Sequence, residues 1–176
     1  MTRGWIALIG AFVLSACAAF PSFRNTDVEI TSIATFDPVR YAGTWHEIAR
    51  FPTPFQSGCT ETRAVYDVVD RDTLSVQNIC RRNGSLTDIS GTAKVDGPGR
   101  LKVRLKGVPF AADYWVLWVD EGYRTAVVGV PSGRAGWILN RDPVIPDDRL
   151  RAALSVLEFN GYDTSRLIMA APEGDG

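Results

Sequence analysis

The residues with the sharpest chemistry in this 176-residue chain are three cysteines and a single histidine. With only His46 to supply an imidazole, neither a Ser–His–Asp triad nor a His-rich metal site has enough to work with. No Gly-x-Ser-x-Gly elbow, P-loop, dinucleotide fingerprint or metal-ligand spacing occurs. Catalysis, a cofactor and a bound metal are therefore not expected. Lys+Arg total 19 against 20 Asp+Glu, a net charge of -1, whereas a nucleic-acid protein needs a basic excess to neutralise phosphates. Residues 101–106 alternate Lys102, Arg104 and Lys106 with Leu101, Val103 and Leu105, as the solvated face of a strand does. Contact with anionic lipid head groups is the other use such a stretch could serve.

Cys17 stands apart from Cys59 and Cys80. Arg3 and the apolar run 5–14 form a leader too short to cross a membrane, for which roughly 20 apolar residues are needed. The run ends in Leu14-Ser15-Ala16-Cys17, which resembles the bacterial lipobox, where the cysteine is diacylated after cleavage. The resemblance implies a lipoprotein signal peptide at 1–16, lipid on Cys17, and a membrane anchor. Ala18, in place of an Asp after the lipidated cysteine, implies the outer membrane of a Gram-negative envelope. Ordinary signal cleavage, with Cys17 a bystander, is the alternative. In an oxidising compartment the remaining Cys59 and Cys80 are expected to form a disulfide. The other reading is a reactive thiol, although neither has a nearby His or basic helix start to lower its pKa.

The elements that position these residues are mostly strands. Residues 17–35 are polar and mixed and read as a lipidated tether; 172–176 read as a tail. Strand-like runs occur at 44–51, 60–69, 73–79, 88–95, 101–106, 114–119, 125–130 and 137–140, separated by Gly-, Pro- and Asp-rich turns. Eight such runs at short, regular spacing indicate an antiparallel sandwich or barrel, and eight up-and-down strands can close around one small ligand. Folding the chain about a turn at 69–72 sets Cys59 and Cys80 roughly opposite each other on paired strands. A helix follows. Asp147 and Asp148 suit its N-terminal dipole, and Leu150, Ala153, Leu154 and Leu157 form one apolar stripe. Gly161 is placed to end it. Arg149, Arg151 and Glu158 are expected to face water, and 166–170 could pair as a short last strand.

Three motifs then resemble a known family. Tyr41-Ala42-Gly43-Thr44-Trp45 and its sequel to Phe51 resemble the lipocalin opening motif, Gly-x-Trp on the first strand. Trp137-Ile138-Leu139-Asn140-Arg141 resembles the last barrel strand with its arginine. Tyr114 to Asp120, with Tyr123, resembles the middle motif, except that Val119 replaces a Thr and two residues separate Asp120 from Tyr123. The likeness covers about 36–171 and is nearest to bacterial outer-membrane lipoproteins related to apolipoprotein D. It implies an all-β, eight-stranded antiparallel up-and-down barrel with one C-terminal helix packed outside. It also implies a fatty acid or (lyso)phospholipid held in the barrel for storage or transport.

Gly43, Trp45 and Arg141 are expected to close one end, the guanidinium lying over the indole. The loop 51–58, rich in Pro and Phe, should gate the other. Strict alternation from Trp45 turns Glu47, Ala49 and Phe51 inward. From Arg141 it turns Trp137 and Leu139 inward. By the resemblance Tyr66 and Tyr114 also face in, which adds Ala64, Val68, Val116 and Trp118; Leu74, Val76 and Asn78 are candidates on the neighbouring strand. His46 points out. The ligand-wall set is thus Glu47, Ala49, Phe51, Tyr66, Val76, Asn78, Tyr114, Val116, Trp118, Trp137 and Leu139. Each aromatic could instead be packed core, and Glu47 could anchor a head group or make a buried structural hydrogen bond. A structural lipoprotein with a filled barrel and a loop-bound protein partner is the rival reading.

Overall fold

A computed structural model describes residues 21–170. The expected signal peptide, the acylation of Cys17 and the tail lie outside the described residues. The chain forms α1 (Pro38–Tyr41), then β1 (Gly43–Arg50), β2 (Glu61–Asp70), β3 (Thr73–Arg82) and β4 (Ser85–Val95). β5 (Arg100–Leu105), β6 (Ala112–Val119), β7 (Thr125–Gly129) and β8 (Gly136–Asn140) follow, then α2 (Asp147–Phe159) and β9 (Ile168–Met169). Strands β1 to β8 pair antiparallel in chain order and β8 returns to β1. This is the closed up-and-down barrel expected, and the short last strand is present as β9 against β1.

One end is sealed by residues far apart in sequence. The Arg141 guanidinium lies 3.8 Å from the centroid of the Trp45 ring. It also donates to the carbonyls of Thr44 at 2.9 Å, Arg40 at 2.8 Å and Tyr123 at 3.1 Å. Gly43 has a φ of +98°, and a Cβ there would come within 3.1 Å of Arg141 Nη1. Both the backbone conformation and the close approach call for glycine.

Two apolar cores share the sheet. The interior one includes Tyr41, Trp45, Ala64, Tyr66, Leu74, Val76, Val116 and Leu139. The exterior one lies under α2, where Ala153 and Leu157 meet Ile48, Ala49, Phe51, Leu117, Val127 and Ile138. Two β-bulges decide which residues go where. The register shifts between Glu47 and Ala49 in β1, and between Val116 and Trp118 in β6. Each inserts one residue, so the side chains beyond it change face. Ala49, Phe51 and Trp118, expected inside, therefore belong to the exterior core. Val116 precedes its bulge and stays inside. Val68 is exposed as well, because β2 at that point has run past the start of β1, whose Gly43 pairs Tyr66.

Other expectations are corrected locally. Cys59 and Cys80 form the disulfide, with Cα atoms 5.5 Å apart, but Thr62, not Cys59, stands opposite Cys80. Cys59 reaches its partner from a turn outside the ladder, where its N–H bonds to Gln56 O at 3.1 Å. Arg149 does not face water; it donates to Thr125 Oγ1 at 2.9 Å and Asn140 Oδ1 at 3.1 Å, under the helix. The part of the tether that is described is also not free. Phe23 and Arg24 are buried, Phe23 N bonds to Gly133 O at 2.7 Å, and Ile33 N to Val116 O at 2.9 Å. Residues 21–35 form a strap along the barrel. Its polar composition comes from side chains that bond to it or face outward.

Candidate functional site

The barrel encloses a cavity of about 590 Å³, open at the end opposite Arg141. That volume falls in the range of small-molecule sites, and the barrel is not filled by its own side chains. Its walls come from alternate residues of neighbouring strands: Ala64 and Tyr66 on β2, Val76 and Asn78 on β3, Val103 and Leu105 on β5, Tyr114 on β6, and Trp137 and Leu139 on β8.

Near the sealed end the wall is phenolic. The Tyr41 and Tyr114 hydroxyls are 2.7 Å apart, and the Tyr66 ring lies 5.4 Å from Tyr41 and 6.3 Å from Tyr114. Burial pushes the Tyr66 hydroxyl up to about 12 and raises Tyr41 and Tyr114 as well. All three remain neutral hydrogen-bonding groups at ordinary pH.

Towards the mouth a buried polar chain crosses the wall. Arg50 Nη1 donates to Glu47 Oε1 at 2.8 Å, and Gln56 Nε2 to Glu47 Oε2 at 2.6 Å. Gln56 Oε1 in turn accepts from Trp137 Nε1 at 3.0 Å and Thr53 Oγ1 at 3.1 Å. The bulge in β1 is what allows Glu47 and Arg50 to meet across a three-residue spacing. Burial raises the Glu47 carboxyl pKa above its usual value, outweighing the opposing effects of Arg50 and the hydrogen bond from Gln56. Beside Glu47, β1 parts from β2, and the Thr62 hydroxyl, which lines the cavity, is buried with no partner among the described residues. His46 lies outward in the cleft behind this gap.

Of the expected wall residues, Glu47, Tyr66, Val76, Asn78, Tyr114, Trp137 and Leu139 line one cavity. Val116 is interior but lies outside that lining, and Ala49, Phe51 and Trp118 sit in the exterior core. Sequence reasoning missed Arg50, Thr53 and Gln56. Arg50 was hidden because regular alternation puts it on the face opposite Glu47, and nothing in the residue types marks the bulge. Gln56 lies in a loop that has no period to read. The rim was partly legible: Phe55 of the gating loop and Val108-Pro109-Phe110 are apolar residues in turn segments, and Phe55, Ile89, Val108 and Phe110 surround the opening. Among the described residues no group of three or more His, Cys, Asp or Glu is arranged to hold a metal.

Comparisons with known proteins agree with this geometry. The description of lipocalin-like domains matches residues 36–172. The chain is 35% identical to the outer membrane lipoprotein Blc of Escherichia coli K12, over 96% of this chain and 95% of that one. It is 35% identical to temperature-induced lipocalin-1 of Arabidopsis thaliana, covering 73% of this chain and 75% of the relative. Mouse apolipoprotein D is 29% identical over 89% of this chain and 82% of its own. Among solved structures, lobster apocrustacyanin A1 superposes with a TM-score of 0.69 at 18% identity, covering 89% of this chain and 94% of that one. Insecticyanin from Manduca sexta superposes at 0.68 with 22% identity, covering 86% and 87%.

Proposed function

Because this chain belongs to the lipocalin family, whose members hold small hydrophobic ligands, we propose that its barrel binds a fatty acid or (lyso)phospholipid reversibly at the outer membrane. The observation that carries this reading is the cavity itself: apolar walls, a neutral phenolic floor and one polar group of residues at the mouth. An acyl tail would lie among Ala64, Val76, Val103, Leu105, Tyr114 and Leu139. Each buried methylene contributes ~0.8 kcal/mol, so about ten yield ~8 kcal/mol before association costs, and a longer chain leaves room for micromolar binding. The head would meet Glu47, Gln56, Trp137 and the unpartnered Thr62 hydroxyl at the mouth. Asn78 offers a further amide on the wall. Tyr66 stays protonated below it. Gly43, Trp45 and Arg141 act as the plug and do not touch ligand.

Anchoring through lipid on Cys17 completes the proposal. It is supported by the lipobox-like sequence and by relatives that are outer membrane lipoproteins. The protein would then store or carry lipid at the envelope. Titration with a fluorescent fatty acid tests the cavity. Saturable uptake near one per chain is expected, and Trp137→Arg should reduce affinity at least tenfold without loss of the folded circular-dichroism spectrum. Unchanged uptake by a folded Trp137→Arg protein would remove Trp137 from the wall and with it this reading of the mouth.

A further inference from the structure

The open end of the barrel carries features that ligand enclosure does not require. Phe55 and Phe110 are exposed at 66% and 67%, with Leu86 and Ile89 beside them on β4. Phe55, Ile89 and Phe110 line the opening itself, so they form one apolar rim. Around it stand Arg81, Arg82, Arg104, Lys106 and Arg134, which outnumber Glu61, Asp88 and Asp113 in the same strand ends and loops. The chain as a whole has a net charge of -1, so this basic excess is local.

The strap leaves the barrel at this same end. Phe23 N bonds to Gly133 O at 2.7 Å, and Gly133 lies in the β7–β8 turn beside Phe51, whose N–H bonds to Gly136 O at 3.0 Å. Arg166 Nη1 also donates to Ser22 O at 3.2 Å. Cys17 precedes Pro21 by four residues, a covalent reach of at most about 14 Å. An acyl anchor there would keep the mouth within reach of a bilayer.

We propose that the open end docks face-down on an anionic phospholipid surface, Phe55, Ile89 and Phe110 entering the head-group boundary while the surrounding arginines and Lys106 meet phosphates. Apolar insertion combined with basic residues is the pattern of interfacial binding. The consequence is that a lipid tail passes between bilayer and cavity without crossing water. Direct transfer rests on the lipid-binding reading above; docking itself does not.

The test uses residues 18–176, which contain the strap, barrel and helix and lack both the leader and the anchor cysteine. A polarity-sensitive dye is attached at Phe110→Cys, or at Val69→Cys as a control at the far end, where Val69 is also exposed, at 60%. Vesicles of equal parts phosphatidylethanolamine and phosphatidylglycerol, some carrying doxyl-labelled chains, are added. The dye at 110 should shift to the blue and be quenched, and the dye at 69 should do neither. Lys106→Gln should weaken vesicle partitioning roughly fivefold, and phosphatidylcholine vesicles should bind less. A response at 69 equal to that at 110, or no binding at either site, overturns the proposal. Fatty-acid titration of the unlabelled chain runs alongside. Uptake without docking sinks the docking surface alone, and docking without uptake sinks the cavity reading alone.

Discussion

Glu47 shows how one carboxyl can tie the mouth of a barrel to its wall. Burial raises its pKa from the ordinary value of 4.5. In the unfolded chain the same group releases its proton first as pH rises. The folded state therefore binds the proton more tightly, and the stabilisation from this group is complete below 4.5 and lost as pH climbs towards the raised value. Urea unfolding as a function of pH should show this slope in the native protein and its absence in Glu47→Gln. The pair with Arg50 is buried on both sides, so removing one partner strands the other. Arg50→Leu should cost about 3–5 kcal/mol, and Glu47→Leu combined with Arg50→Leu should recover much of it. A double-variant loss equal to the sum of the two single losses would mean that the pair is not coupled. Gln56 belongs to the same unit, since its amide links Glu47 to Trp137 and so fixes the loop over the opening.

At the scale of elements, the two bulges divide what could be read from what could not. The strands were legible because alternating apolar residues and turn-forming Gly, Pro and Asp recur at short spacing. Up to Glu47 on β1 and Val116 on β6 their faces were legible too. Beyond those points an inserted residue reverses the alternation, and an insertion has no composition of its own. Phe51 is the clearest test. Its ring stacks on Tyr162 at 5.0 Å and on Phe23 at 5.2 Å, outside the barrel. Phe51→Ala should destabilise by about 3–5 kcal/mol and leave fatty-acid affinity within twofold, measured by thermal unfolding and titration on the same sample. A loss of affinity with little loss of stability would return Phe51 to the cavity. Arg149 illustrates a different limit. The helical period turned it towards water, but its long side chain reaches the buried Thr125–Asn140 pair, a polar demand set by the barrel and invisible in the helix sequence.

For the whole molecule, closure of the barrel was legible because Gly43, Trp45 and Arg141 advertise it at both ends of the sequence. The strap was not, because residues 21–35 look like linker. Their hold depends on a few backbone bonds, on Phe23, and on Arg24, whose guanidinium donates to Asn160 O at 3.0 Å and Pro131 O at 2.9 Å. Phe23→Asp should release this segment, lower stability by about 2–4 kcal/mol, and open residues 24–35 to limited proteolysis while the barrel stays resistant. An unchanged cleavage pattern would show that Phe23 does not pin the strap.

The Arg141 seal also governs when the molecule can finish folding. The carbonyls it grips, those of Arg40 and Thr44, lie 101 and 97 residues earlier, and β1 waits for β8 to complete its pairing. Local hairpins such as β2–β3 can form early, but the circle cannot close until the last barrel strand has been synthesised. Contacts of such range make folding slow, on the millisecond-to-second scale. An open, incompletely paired chain, with the edges of β1 and β8 still unpaired, persists for that interval.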